Sequence, residues 1–235
     1  MAQLQRITIA PSQLQENQIL LTPQQEHYLK RVLRLREGEQ FIAMDGLGKW
    51  WLAQINAEQA QVLKSLVVAT ELPVAITLMM ALPKGSGFEE VVRSCTELGV
   101  ACIAPVLSDR TLLNPSPQKL ERWRRIAAEA AEQSERAFVP TILEPVTFKE
   151  AVTNSTANHR YICEARGEYH HLQNLIKPIT GDVVIATGPE GGWTDKEIAE
   201  AIASGFQPVS LGRRILRAVT APIVALSLIS AACEV

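Results

Sequence analysis

Hydrophobic and polar positions change rhythm once along the chain, near residue 72. Before that point, short runs at 5–10, 18–22, 40–44, 49–57 and 61–70 read as brief strands separated by turn residues. Asp45-Gly46-Leu47-Gly48 lies between two of them and suits a hairpin, because glycine accepts positive φ. One helical insert runs from Pro23 to about Leu35, with Tyr28, Val32 and Leu35 at helical spacing and directed inward. Several short strands with one helix predict a small β-barrel over residues 1–72.

From Val74 onward, apolar runs alternate with amphipathic stretches. Strand-like segments fall at 74–82, 101–107, 161–164, 183–187 and 208–211. Helices are predicted at 87–98, at 116 to about 137, near 194–204 and at 220–233. Ser116-Pro117 is a capping hydroxyl followed by proline at the first helical position, and Thr194 with Glu197 forms a capping box. Buried strands alternating with helices predict an α/β domain over 73–235, built on a parallel sheet covered on both faces.

Composition narrows what such a molecule can do. The 235 residues are 47% hydrophobic and 20% charged, with a formal net charge of −2. A protein that coats nucleic acid through bulk charge is strongly basic, so any such contact must come from a local patch. Cys95, Cys102, Cys163 and Cys233 form no CxxC pair, and the four histidines form no HExxH, so reduced thiols and no metal are expected. The amino terminus lacks a continuous apolar signal core. The apolar stretch at 221–235 is interrupted by Pro222, Ser227 and Ser230 and is shorter than the roughly 18 residues of a membrane span. A cytoplasmic protein with no membrane partner is the expectation.

Five places carry candidate chemistry. Thr187-Gly188-Pro189-Glu190-Gly191-Gly192-Trp193 follows a predicted strand and precedes the capped helix, where ligands bind in open α/β sheets. Its glycines serve a tight turn or a close-lying ligand equally well. No phosphate-binding motif is present: GxxxxGK[ST] is absent and GPEGG is not GxGxxG. The segment 210–217 follows another strand and carries Arg213, Arg214 and Arg217, whose planar forks suit phosphate or carboxylate. The stretch 27–36 holds Lys30, Arg31, Arg34 and Arg36 without an acidic residue, which fits phosphate contact as well as a solvated face. Lys84-Gly85 after the first α/β strand, and Gln133-Ser134-Glu135-Arg136 at the end of the long helix, are less specific.

In this order and spacing, HYLKRVLRL, Lys84-Gly85, TELGV at 96–100, EQSER ending at Arg136, GPEGGWTDKE at 188–197 and LGRRILR at 211–217 are similar to the ribosomal RNA small subunit methyltransferase E family of SPOUT methyltransferases. The resemblance runs almost end to end. It implies a PUA-like barrel that holds RNA, a methyltransferase domain with a deep trefoil knot, and a homodimer. It implies S-adenosylmethionine as cofactor, held by Thr187, Gly188, Glu190, Gly191, Gly192, Leu211, Gly212, Ile215, Leu216, Arg217 and Thr220. The implied partner is 16S rRNA in the small ribosomal subunit, methylated at N3 of one uridine near the 3′ end. Lys30, Arg31, Arg34, Arg36, Lys84, Arg213 and Arg214 are the expected RNA contacts. Arg136 is the expected catalytic residue, stabilising the negative charge that uracil acquires on losing its N3 proton. Two departures stand out: Ala218-Val219 where Thr-Glu is usual, and Gly87 where another basic residue is usual. Readings from other classes are an RNA-binding assembly factor without activity, a knotted methyltransferase acting on another RNA, and a generic nucleotide-binding enzyme.

Overall fold

The computed structural model describes residues 4–111, 115–176 and 179–234; the first three positions of the amino-terminal segment and Val235 lie outside them. The chain forms two compact units, one of residues 1–71 with 131–139 and the other of 72–130 with 140–235.

The first unit holds six strands: β1 (Arg6–Thr8), β2 (Leu14–Gln15), β3 (Gln18–Leu20), β4 (Gln40–Met44), β5 (Trp50–Asn56) and β6 (Gln59–Leu66). They join in the order β1-β4-β5-β6-β3-β2, antiparallel except for β1 on β4. One face buries Ile7, Ile9, Ile19, Leu29, Phe41 and Ile55 in a common core. Residues 137–139 lie along the β4–β5 hairpin: Gly48 donates to the Ala137 carbonyl and Val139 to the Gly46 carbonyl. Gly48 is needed there, since a Cβ would sit 2.7 Å from the Phe138 ring.

The helical insert departs from expectation. Thr22 caps a short helix, α1 (Pro23–His27), which then widens into a π-type turn over Tyr28–Val32. Leu33 N–H donates to the Tyr28 carbonyl five residues back. A wider turn rotates the apolar stripe. Leu29 is fully buried, whereas Tyr28 is 40% and Val32 58% exposed. Tyr28 and Val32 are therefore not core residues as their spacing predicts; Leu29, with Leu33 and Leu35 packed beside it, takes that place. Arg34 has a φ of 58° and stands past the end of the turn, so it does not share a helical face with Lys30 or Arg31.

The second unit is a parallel sheet of β7 (Ile76–Ala81), β8 (Cys102–Leu107), β9 (Thr141–Ile142), β10 (Val146–Thr147), β11 (His159–Cys163), β12 (Val183–Thr187) and β13 (Gln207–Val209). The order is β10-β8-β7-β12-β11-β13, with β9 also paired to β8. Every residue of β12 is buried, as a central strand covered on both faces requires. The helices are α2 (Gly87–Glu97), α3 (Pro117–Gln133), α4 (Phe148–Thr153), α5 (Asp195–Ala203) and α6 (Thr220–Cys233). Helix α5 starts where the Thr194–Glu197 capping box predicts, with both reciprocal bonds formed. Helix α3 stops four residues short of its expected end, so Arg136 follows the helix instead of closing it. Strands β9 and β10 and helix α4 are too short to announce themselves by periodicity. Among the described residues no helix is long and apolar enough to cross a membrane.

Candidate active site

Because the strands of this sheet run parallel, the loops leaving β8, β11, β12 and β13 emerge at one edge. There they enclose a cavity of about 760 Å³ lined by residues of the second unit alone, within the range of roughly 300–1,000 Å³ usual for small-molecule sites. The loop after β12 supplies Gly188 to Trp193, and the segment after β13 supplies Leu211, Gly212 and Arg214 to Val219. The loop after β11 adds Glu164, Arg166 and Tyr169, and that after β8 adds Arg110.

Local sequence explains the shape of these walls. Gly192 (φ 70°) and Gly212 (φ 122°) adopt left-handed conformations, and a Cβ on either would meet nothing within 4 Å. Both line the cavity, so the backbone there stays bare and its polar groups stay approachable. Gly188 lies against the Trp193 ring, which packs on Phe148 with centroids 4.5 Å apart. Leu211, Ile215, Leu216 and Val219 give the opposite wall an apolar lining.

Loops from other strands brace the glycine loop. Arg110 Nη1 donates to the carbonyls of Gly191 and Trp193. The Glu190 carboxylate accepts the Lys84 N–H at 2.9 Å, and Glu197 accepts the Asp109 N–H at 2.9 Å. Arg110 was not among the sequence candidates. Its signal is an isolated Asp-Arg two residues beyond the end of a buried strand, the same placement after a strand that marks the glycine loop.

Of the expected cofactor residues, Gly188, Glu190, Gly191, Gly192, Leu211, Gly212, Ile215, Leu216 and Arg217 line the cavity. Thr187 ends β12 fully buried, and its hydroxyl has no partner among the described residues. Thr220 opens α6 between two wall residues, Val219 and Ala221. Arg214 is on the wall, and Arg213 and Lys84 are exposed. In the first unit Arg31, Arg34 and Arg36 are exposed. Lys30 differs: its ammonium donates to Glu26 and to the Ala57 carbonyl, both at 2.6 Å, tying the turn to the β5–β6 hairpin. Arg136 is 4% exposed and pairs with Glu71, whose carboxylate also accepts the N–H groups of Ala137 and Phe138 at 2.8 and 3.2 Å.

Cys163 is the thiol on the cavity wall. Burial, with the Glu164 carboxylate adding to it, pushes that thiol up to about 12. It stays protonated at neutral pH and is unsuited to act as a thiolate nucleophile.

The cavity has the chemistry S-adenosylmethionine needs: apolar walls for a flat base, bare backbone for polar edges, and both signs of charge for an amino acid end. The arrangement owes nothing to a phosphate loop, which agrees with a cofactor that carries no phosphate.

Residues 70–230 match the family model of an RNA methyltransferase domain, and 21–64 match that of an RNA methyltransferase PUA domain. Fold and site thus define an RNA methyltransferase with a PUA-like amino-terminal domain. The chain is 51% identical over 236 residues to ribosomal RNA small subunit methyltransferase E of Synechocystis sp., covering 97% of this chain and 78% of that protein. It is 29% identical to the Bacillus subtilis protein of that name, covering 89% and 88%. A Neisseria gonorrhoeae ribosomal RNA small subunit methyltransferase E with S-adenosylmethionine bound superposes with a TM-score of 0.88 at 30% identity, over 97% of this chain and 98% of that one. A Legionella pneumophila methyltransferase, also holding the cofactor, superposes with a TM-score of 0.88 at 31% identity over 98% of each chain. The chain belongs to the ribosomal RNA small subunit methyltransferase E family.

Proposed function

We propose that this protein transfers a methyl group from S-adenosylmethionine to N3 of a specific uridine near the 3′ end of 16S rRNA in the small ribosomal subunit. The observation that carries this reading is the cavity at the carboxyl edge of the parallel sheet, with its glycine loop and apolar wall, in a chain whose relatives hold that cofactor. When bound, S-adenosylmethionine supplies an electrophilic methyl group. The chain's own residues then bind, orient and exclude water. Gly188, Gly191, Gly192 and Gly212 offer backbone groups, Leu211, Ile215 and Leu216 shield the ring system, and Arg217 reads its charged end. Arg31, Arg34, Arg36, Lys84, Arg213 and Arg214 contact phosphates.

The ion pair with Glu71 defines how Arg136 is to be tested. To stabilise an ionised uracil the guanidinium must turn from Glu71 to the base, and in the meantime it positions the segment 131–139. Arg136→Ala is expected to lower kcat about 100-fold or more with cofactor affinity unchanged. A fall in melting temperature that accounts for the lost turnover would leave Arg136 a purely structural role.

The protein works as a homodimer in the cytoplasm, where its substrate is assembled. Ile223, Val224 and Leu228 of α6 remain half-buried in the single chain, which supports an apolar face for a second copy. A trefoil knot is supported by the segment after β13: Ser210 donates to the His170 carbonyl and Leu172 to that of Ser210, so the chain runs beside the loop that precedes β12.

The first test is calorimetric titration with S-adenosylmethionine, followed by mass spectrometry of nucleosides from small subunits incubated with enzyme and cofactor. The native chain binds and yields 3-methyluridine. Gly191→Trp, whose Cβ would already sit 3.0 Å from Arg110 Cδ, does neither. Failure to bind, alone or with subunits, would make the protein an RNA-binding factor. Methylation of a different nucleoside would move it to another RNA target.

A further inference from the structure

The widened turn after α1 does more than misplace a stripe. It buries Leu29, packs the partly buried Leu33 and Leu35 against the same core, and leaves Tyr28, Arg31, Val32, Arg34 and Arg36 exposed on one stretch of chain. Tyr28 and Val32 are four residues apart across a π-type turn, so their side chains are neighbours. An aromatic ring and a branched apolar side chain left in water beside three arginines are poor design for a merely solvated face. No acidic residue occurs between 27 and 36, and Lys30, the remaining cation, is held internally by Glu26 and Ala57. In a molecule with a net charge of −2, this segment carries an exposed aromatic ring and three exposed arginines within nine residues, 28–36.

We propose that this surface binds single-stranded RNA, with an unpaired base stacked on the Tyr28 ring and Val32, and with Arg31, Arg34 and Arg36 on the flanking phosphates. A base offers a flat π-face to an aromatic ring, and the backbone beside it offers charge to guanidinium groups. A duplex keeps its bases stacked on one another and has no free face to give. The left-handed Arg34 holds the end of the turn in a shape that an uninterrupted helix would not have. This inference rests on the proposed function for its RNA substrate and adds the mode of recognition.

The test measures affinity of the full chain for a short single-stranded RNA copied from the 3′ region of 16S rRNA, and for the corresponding duplex, across a salt series. Native protein prefers the single strand. Tyr28→Phe binds as the native chain does. Tyr28→Ala loses roughly 5- to 150-fold in affinity with an unchanged salt slope, because stacking releases no counterions. Arg31→Ala weakens binding and lowers the magnitude of the salt slope by about 1. Native affinity in Tyr28→Ala, equal binding to the duplex, or a salt slope altered by Tyr28→Ala would each overturn the proposal. Melting curves on each variant show that the fold is kept, as substitution at exposed positions allows. Methyl transfer to intact subunits is measured separately with the native chain. If transfer fails while the Tyr28 effect holds, the proposed function falls alone; if transfer succeeds while Tyr28→Ala binds normally, only the stacking surface falls.

Discussion

Residues of one type in one short segment do different work here, and burial tells them apart. Lys30 and Arg31 are adjacent in a basic run, so the sequence treats them alike. Lys30 reaches Glu26 and the Ala57 carbonyl, whereas Arg31 is exposed. Lys30→Ala is therefore expected to lower stability by about 0.5–1.5 kcal/mol, read from urea unfolding, while leaving the salt slope of RNA binding unchanged. A slope lowered by about 1 would return Lys30 to the phosphate contacts. The thiol of Cys163 gives a second residue-scale expectation. Its value is raised from 9.0 to about 12, so at pH 8 about a thousandfold less of it is thiolate than in a free cysteine. Iodoacetamide labelling of the folded protein at pH 8, followed by peptide mass spectrometry, is expected to modify Cys163 about a thousandfold more slowly than a free cysteine and to speed up on unfolding. Rapid labelling in the folded state would show that the thiol is not shielded.

At the scale of elements, legibility depended on whether the signal was local. The capping box at Thr194 and Glu197 fixes the start of α5 from four residues, and the structure forms both of its bonds. The turn after α1 departs from its spacing, because a single step from i+4 to i+5 bonding moves the buried position from Tyr28 to Leu29, and nothing in the spacing reveals that step. The glycine loop was legible as a ligand loop from its place after a buried strand; its brace was not, because Arg110 is about eighty residues away in sequence and meets it only through the pairing of β7 with β8 and β12. That brace has a measurable consequence. Arg110→Ala removes two charge-assisted bonds to loop carbonyls, each weakened by exposure, and is expected to reduce S-adenosylmethionine affinity about tenfold with little change in stability. Arg110→Lys should recover part of it, since an ammonium keeps the charge but lacks the fixed planar orientation with which Nη1 aims its two N–H groups at the two carbonyls. Calorimetry on both variants checks this; native affinity in Arg110→Ala would mean the loop holds its shape unaided.

Across the whole molecule, α/β class, the parallel sheet and a β-rich amino-terminal part followed from hydrophobic rhythm, but strand order did not. Order records which strands pair, and β12 lies between β7 and β11 for reasons of long-range packing that no local pattern encodes. The same long-range packing brings together Gly87 and Val219, two positions at which the sequence differs from the pattern its resemblance implies. A Cβ on Gly87 would lie 2.7 Å from Cγ1 of Val219, so the two positions are in direct contact beside the cavity wall. Glycine at the head of α2 leaves room for a branched side chain on the cavity wall, so the two positions are expected to be coupled. Gly87→Arg alone is expected to cost about 1–3 kcal/mol through overpacking against Val219. Val219→Glu alone places a carboxylate on an apolar wall and is expected to weaken cofactor binding. In the double variant the unbranched glutamate can swing away from the new Cβ and pair with the guanidinium, recovering about 0.5–3 kcal/mol of coupling. Urea unfolding and S-adenosylmethionine calorimetry on the four proteins of this cycle measure that coupling. Strictly additive effects would show that the two departures arose independently and that their contact carries no energy.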